Sequence, residues 1–437
     1  VNSPDGRLKN MAITEATAQQ NVTLDDVVIT VVMARVTDFF GFFVYAIASA
    51  LVFPAVFFPH LDPLSGTLWS FALFSLAFVA RPIASMFARR IQTKIGRPGK
   101  ITLALMILGS STVAIGLLPS YQNWGIAAPI MLGVLRFVQG LGLGGAWDGI
   151  TLQLKSAAPE GREGRYSMVP QLGGPIGFCV AAALFYVLTG FLTEEEFLTY
   201  GWRFAFFAVM AVNVVSLFAR LRLLTTDFGS DDETLLKSAP LPDLLKNEWR
   251  TIILSALLPL ASYALFHLVT VFPLSYALLF SGRDITDILL LQLLGGALAI
   301  GSVIVSGILS DLFSRRVVLF ISSVLMVLLS LSFVTLETVP SIYILFGFVV
   351  LGLSYGQSSS IVPNRFKEEY QYSGSAMATN LSWLAGAALA PLTGLFLASR
   401  FGLWAAAIYL LSGVAVTLLA LYLLREGDKK RALGQRA

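Results

Sequence analysis

The chain of 437 residues is predicted to be an all-α integral membrane protein, with twelve transmembrane helices in two pseudo-symmetric six-helix lobes. Three observations predict this. Hydrophobic residues make up 56% of the chain and charged residues 13%, against roughly 25% charged in a soluble globular protein, and the mean hydropathy is +0.77. The apolar residues gather into long runs separated by short polar gaps. One basic gap, Arg89 to Lys100, is repeated as Gly307 to Arg316, and aligning their arginines sets Thr93 opposite Asp311, about half a chain further on. Such internal repetition is the mark of a fold built from two related halves.

Runs of about 20 apolar residues are long enough to span a bilayer, and they follow one another through the chain. Residues 1–28 are a polar tail with no apolar run, so no cleavable signal peptide is expected. The first span, 29–57, carries charge only at Arg35 and Asp38; 66–88 leads into the basic gap, and 101–120 leaves it for Pro119-Ser120. Span 126–154 holds Arg136 and Gln139 before Gly140, Gly142, Gly144 and Gly145; 168–191 contains Gly174-Pro175, and 201–221 opens on Gly201-Trp202-Arg203. The polar stretch 223–250, with Asp231, Asp232 and Glu233, reads as the linker between a first lobe at 29–222 and a second at 251–424. Spans 252–279, 287–310, 317–336, 341–362, 374–398 and 402–424 complete the second lobe, and 425–437 is a closing tail.

Orientation follows from the basic residues. Only Arg203, Arg283 and Arg400 fall in gaps on one side, and Arg35, Arg81 and Arg136 lie inside spans; the remaining Lys and Arg residues share the side of the amino terminus. Both termini are therefore expected to be cytoplasmic. A net charge of +4 invites nucleic acid as a partner, but the basic residues sit in short gaps and form no stripe or aromatic-interleaved patch. One cysteine, Cys179, and two distant histidines, His60 and His267, offer neither a disulfide framework nor a metal centre. No phosphate loop, metal-ligand spacing or nucleophile-base pattern is present, so neither an enzyme nor a cofactor is expected.

Charge inside the spans carries the chemistry. Arg136 lies ~15 Å below the outer boundary at 1.5 Å per residue, close to the midplane, where a guanidinium is costly unless it faces a polar interior. The glycines after it let neighbouring backbones approach. Asp38 lies ~13 Å and Arg81 ~10 Å above the cytoplasmic edge in adjacent helices, a depth match that allows an ion pair. Asp38 is the first candidate for a proton carrier, with Arg81 released to a solute anion; a permanent salt bridge is the alternative. Arg35 and Asp148 fall near the cytoplasmic surface, where snorkelling or a loop contact accounts for them. Tyr263 and His267 share one helix face near the midplane, and an unperturbed histidine titrates in the physiological range. Tyr45, Gln139, Asn213, Tyr355, Gln357, Asn380 and Trp383 are further candidates for a cavity lining, whereas Phe39-Phe40 and Phe57-Phe58 read as lipid-facing or inter-helix contacts. Guanidinium in excess of acid favours an anionic solute.

The Arg136-x-x-Gln139-Gly140 run and Gly96-Arg97-x-x-Lys100 resemble the major facilitator superfamily, and the chain looks most like its metabolite:proton symporter family. Further matches are Ala80-Arg81-Pro82, Leu118-Pro119-Ser120-Tyr121, Ala128-Pro129, Gly145-Ala146-Trp147, Gly174-Pro175-Ile176-Gly177 and Gly201-Trp202-Arg203. The resemblance implies the major facilitator fold and alternating access, in a proton-coupled importer of a small organic acid, amino acid or betaine-like solute in a bacterial inner membrane. It also implies an acid where Ala146 stands; Asp148 is two residues on, about 200° around the helix. Arg35 occupies another acid position of the family, and Asn364 and Gln371 replace a family acid and arginine.

The expected reading is thus a monomeric symporter that binds one small metabolite, a carboxylate or zwitterion, together with a proton. Asp38, Asp148 and His267 are the proton-coupling candidates. Arg81, Arg136, Gln139, Tyr45, Tyr263, His267, Tyr355, Gln357 and Asn380 are the solute-binding candidates. Asp311, Arg315 and Arg97 are the gating candidates, in an asymmetric latch where Asp311 matters and Thr93 does not. The rivals are a proton-antiport exporter, disfavoured by the short Gly-Pro motif, and a non-transporting sensor.

Overall fold

The computed structural model describes residues 24–146, 152, 154, 158–225, 238–358, 361–362 and 365–434. Its elements are helical throughout. The spanning helices are α1 (Leu24–Leu51), α2 and α3 (the two parts of Pro63–Leu117 on either side of Gly96), α4 (Ala127–Gly145), α5 (Glu163–Phe191), α6 (Glu194–Phe218), α7 (Leu241–Ser281), α8 (Ile285–Leu312), α9 (Arg315–Leu331), α10 (Pro340–Ser358), α11 (Glu368–Phe401) and α12 (Leu403–Leu424). The hydrogen-bonded run from Pro63 to Leu117 changes direction at Gly96, whose φ of 74° suits a residue without Cβ. The repeated basic gap is therefore a helical corner in its first copy. Large apolar side chains such as Trp69, Phe218, Phe396 and Ile408 are exposed, as lipid-facing positions require.

One element differs from expectation, and a second settles between two expected alternatives. The stretch assigned to the linker turns helical at Leu241, so the last part of 223–250 belongs to α7. Leu244, Glu248 and Ile252 are buried on one face of that extension, and Asn247 Nδ2 donates to Tyr370 Oη at 2.8 Å. Hydropathy overlooks such a segment because only one stripe of it is apolar. Phe57 and Phe58 are both buried, and Phe53 and Phe57 pack edge-on against Trp202 of α6, so these rings are inter-helix contacts.

The lobes repeat each other in packing. A Cβ on Gly140 or Gly144 of α4 would run into the backbone of Ala77 or Arg81 in α2. In the second lobe, Gly352 of α10 meets the backbone of Ala299 and Gly356 meets Ser306, both in α8. The lobes join along two seams of differing chemistry. On the side away from the basic gaps, Cys179 of α5 lies against Gly296 and Leu293 of α8, Phe178 packs on Phe348, and Phe43 stacks on Phe266 at 5.3 Å. On the basic face the joints are polar. At the margins, Arg203 Nη1 donates to the carbonyls of Gly116 and Leu118 at 2.7 Å each, supplying donors to the open end of α3.

Candidate functional site

A cavity of about 100 Å³ lies between the lobes. The first lobe contributes Arg35, Asp38, Phe39 and Phe42 from α1, Arg81 from α2, Leu143, Gly144 and Ala146 at the end of α4, and Pro170 and Gln171 from α5. The second contributes Tyr263 from α7, Tyr355 from α10, and Thr379, Asn380 and Trp383 from α11. Here α11 widens into a π-type turn at Trp383–Ala387, a local irregularity that re-aims side chains and recurs at functional sites. Asp38, Arg81, Tyr263, Tyr355 and Asn380 thus meet in one place.

The polar groups pair differently from expectation. Asp38 Oδ2 lies 3.5 Å from Arg35 Nη1, one turn back on the same helix. Arg81 instead donates from Nε to Asn380 Oδ1 at 3.1 Å, and Asn380 Nδ2 donates to Ser85 Oγ at 2.5 Å. The Arg81 guanidinium also sits 5.3 Å over the Trp383 ring. The expected Asp38–Arg81 pair is therefore replaced, because Arg35 reaches the carboxylate without crossing between helices. Arg35 lines the cavity rather than snorkelling. Among the described residues, no carboxylate is in ion-pair contact with Arg81.

Aromatic rings form the walls. Tyr263 and Trp383 stack at 4.3 Å with an interplanar angle of 18°. Phe39 reaches from the first lobe to Tyr355 at 6.2 Å and Trp383 at 6.1 Å, and so is neither a lipid-facing ring nor merely an inter-helix contact. Phe39, Phe42 and Gln171 are lining residues that the sequence reading missed. Their signal was weak: Phe39 stands four residues after Arg35 and Phe42 four residues after Asp38, and nothing local marks Gln171.

A second polar group lies outside that lining. Arg136 is 1% exposed; its Nε donates to Phe74 O at 3.2 Å and its Nη1 to Gln139 Oε1 at 3.1 Å. Gln139 passes the chain on to Thr112 Oγ1 at 2.8 Å. The guanidinium lies 3.8 Å from the Tyr45 ring centroid and 4.8 Å from that of Phe74, cation–π contacts that offset part of the burial cost. His267, from the other lobe, is enclosed by Phe42, Phe74 and Phe78, and both ring nitrogens are buried without a hydrogen-bond partner. Gln357 is likewise away from the cavity, with Nε2 3.4 Å from Ser306 Oγ. Asp148 lies outside the described residues.

Below the cavity the basic gaps join the lobes. The Gly164 N–H donates to Asp311 Oδ1 at 2.6 Å, and Arg165 Nε lies 3.1 Å from Asp311 Oδ2. Arg315 stands beside Glu163 and Asp311, and Arg97 is half-buried after the Gly96 corner. Thr93 turns back on its own helix, donating to Arg90 O at 3.1 Å. The first copy instead crosses between lobes through Lys100, which is 2% exposed and donates to Tyr372 Oη at 3.0 Å and Gln92 Oε1 at 3.1 Å.

The Major Facilitator Superfamily family model matches residues 38–385. The chain belongs to the major facilitator superfamily. It is 34% identical over 415 residues to the inner membrane metabolite transport protein YhjE of Escherichia coli (strain K12), covering 92% of this chain and 94% of the relative. The shikimate transporter of the same organism is 27% identical, with 90% and 93% covered. The proline/betaine transporter is 25% identical, with 96% and 87% covered. Among solved structures, a D-xylose-proton symporter superposes with a TM-score of 0.68 at 14% identity, covering 91% of this chain and 96% of that one. Metabolite transport proteins are among its relatives, as the motif resemblance implied, and the superfamily and these relatives are transporters rather than enzymes. Within this major facilitator chain, Ala146 faces the cavity, so the acid that the resemblance implied there is missing from the cavity wall.

Proposed function

We propose that the protein is a proton-coupled symporter that imports a small anionic organic metabolite by alternating access. The observation that carries this reading is one cavity between the lobes holding both an acid, Asp38, and a guanidinium, Arg81, that is in ion-pair contact with no carboxylate among the described residues. Arg81 supplies charge-assisted hydrogen bonds to a solute carboxylate. Asp38 accepts the coupled proton, and its protonation releases Arg35 from the pair. Relatives named as transporters of shikimate and of proline and betaine, and the fold shared with a D-xylose-proton symporter, support a small metabolite as solute. In this reading the basic face is cytoplasmic, as are both termini, the membrane is a bacterial inner membrane, and the working unit is a monomer. The first lobe, 29–222, and the second, from Leu241 to 424, move against each other, and Asp311, Arg315 and Lys100 fasten the cytoplasmic side.

Proteoliposomes with a trapped pH dye test the reading. Under an inward proton gradient, addition of a transported acid acidifies the lumen faster than in empty vesicles. Acceleration only under an outward solute gradient, with protons moving in exchange, would identify an exporter instead.

A further inference from the structure

The cavity constrains the solute further than its charge sign. Its ionisable lining among the described residues is Arg35, Asp38 and Arg81 with the phenols of Tyr263 and Tyr355. Asp38 and Arg35 pair with each other, which leaves, among the described residues, one net positive charge, on Arg81. The Arg81 Nε is committed to Asn380, and Asn380 is committed in turn to Ser85. The rest of the guanidinium offers one two-pronged face, the geometry that a single carboxylate fills.

The remaining wall is mostly aromatic: Phe39, Phe42, Tyr263, Tyr355 and Trp383. Rings of this kind prefer either a flat apolar body or an ammonium group. The charge balance separates the two, since an ammonium would sit beside Arg35 and Arg81 in a cavity that is already positive, without relieving that charge. A dicarboxylate would leave its second charge against rings. Size sets a last limit: about 100 Å³ holds roughly seven to ten waters, and so a solute of about ten non-hydrogen atoms.

We infer that the solute class is a monocarboxylate with a flat or cyclic apolar body, its carboxylate on Arg81 and its body among Phe39, Tyr355 and Trp383. This deepens the transport reading and rests on it. While Asp38 is ionised and paired with Arg35, dicarboxylates, tricarboxylates and quaternary-ammonium zwitterions are disfavoured by the same charge and wall chemistry.

Thermal shift of the purified full chain tests this with benzoate, succinate, citrate and glycine betaine as probes, alongside Arg81→Gln and Arg81→Lys. Benzoate is expected to raise the melting temperature with an apparent affinity at least tenfold above the other three. Arg81→Gln abolishes the shift. Arg81→Lys, which keeps the charge but not the planar fork, weakens it at least tenfold and serves if the glutamine variant does not fold. A stronger response to succinate, citrate or betaine overturns the class while leaving transport standing. A benzoate shift that survives both substitutions overturns the placement on Arg81. No shift with any probe, together with no proton-driven uptake of any of them in the vesicle assay, overturns both the class and the transport reading.

Discussion

Arg81 of α2 and Asn380 of α11 share a hydrogen bond of 3.1 Å across the two lobes, at the wall of the cavity between them. The same guanidinium that is available to a solute is thereby one of the ties between the lobes. Solute binding and lobe closure draw on one side chain, so a ligand that reorients Arg81 also alters a contact that resists opening.

Asn380→Ala should weaken solute binding without removing the charge. Loss of a hydrogen bond to a charged group costs about 1.5–3 kcal/mol, or roughly ten- to a hundredfold in affinity. KM should rise by that factor with a smaller change in kcat. An unchanged KM would show that Asn380 does not orient Arg81.

Asp38→Asn should abolish accumulation against a gradient while solute exchange continues. The amide cannot take up and release the proton, but the cavity still closes around the solute. Counterflow and gradient-driven uptake, measured on the same vesicles, separate the two; retention of proton-driven accumulation removes Asp38 from the coupling step.

The latch on the basic face should respond unequally to substitution in its two copies. Asp311→Asn loses the ion pair to Arg165 and should slow transport severalfold, whereas Thr93→Ala removes only a hydroxyl bonded to its own helix and should leave the rate unaltered. Tyr372→Phe should behave like Asp311→Asn, because it deletes the acceptor of Lys100. The asymmetry is falsified if Thr93→Ala cripples uptake and both of the others do not.

His267→Leu should leave the melting temperature unchanged or raise it. Both ring nitrogens are buried without partners, and a buried unsatisfied polar group costs about 1–3 kcal/mol, which an apolar side chain of similar size avoids. The pH profile of uptake supplies the functional readout: a flattened profile would mark His267 as a participant in coupling.

Gly140→Ala should destabilise strongly, by more than about 2 kcal/mol, since its methyl would strike the backbone of Ala77, which cannot move without parting α2 from α4. Gly352→Ala, against Ala299 in the second lobe, should do the same. Thermal unfolding of the detergent-solubilised protein checks both. Wild-type stability in either variant would contradict the close approach.

Much of this architecture was legible because the bilayer imposes length and polarity on every span, so hydropathy alone placed all twelve helices. The depth argument also brought Asp38 and Arg81 to one cavity, since rise per residue is nearly invariant in a helix. Their partners were less accessible. The Arg35–Asp38 pair was visible as an i, i+3 spacing, but Arg35 was read as a surface residue. Asn380 is 299 residues from Arg81, and no local pattern announces a contact made only when two lobes close. Lys100 was read as part of a basic gap; its burial against Tyr372 depends on the Gly96 corner, which sequence spacing does not describe. Leu241 to Arg250 was lost to the linker because its single apolar stripe is too narrow for a hydropathy window.

The two seams between the lobes have a consequence for the conditions in which the protein works. One is held by rings and by the thiol of Cys179 against Gly296, contacts with no net charge to screen. The other depends on charged groups, and the Arg165 side chain in it is 46% exposed. Dissolved salt weakens the second and leaves the first nearly untouched. In the proposed alternating-access reading, ionic strength on the basic face therefore acts as a bias on which way the cavity opens, while the opposite seam does not respond to it.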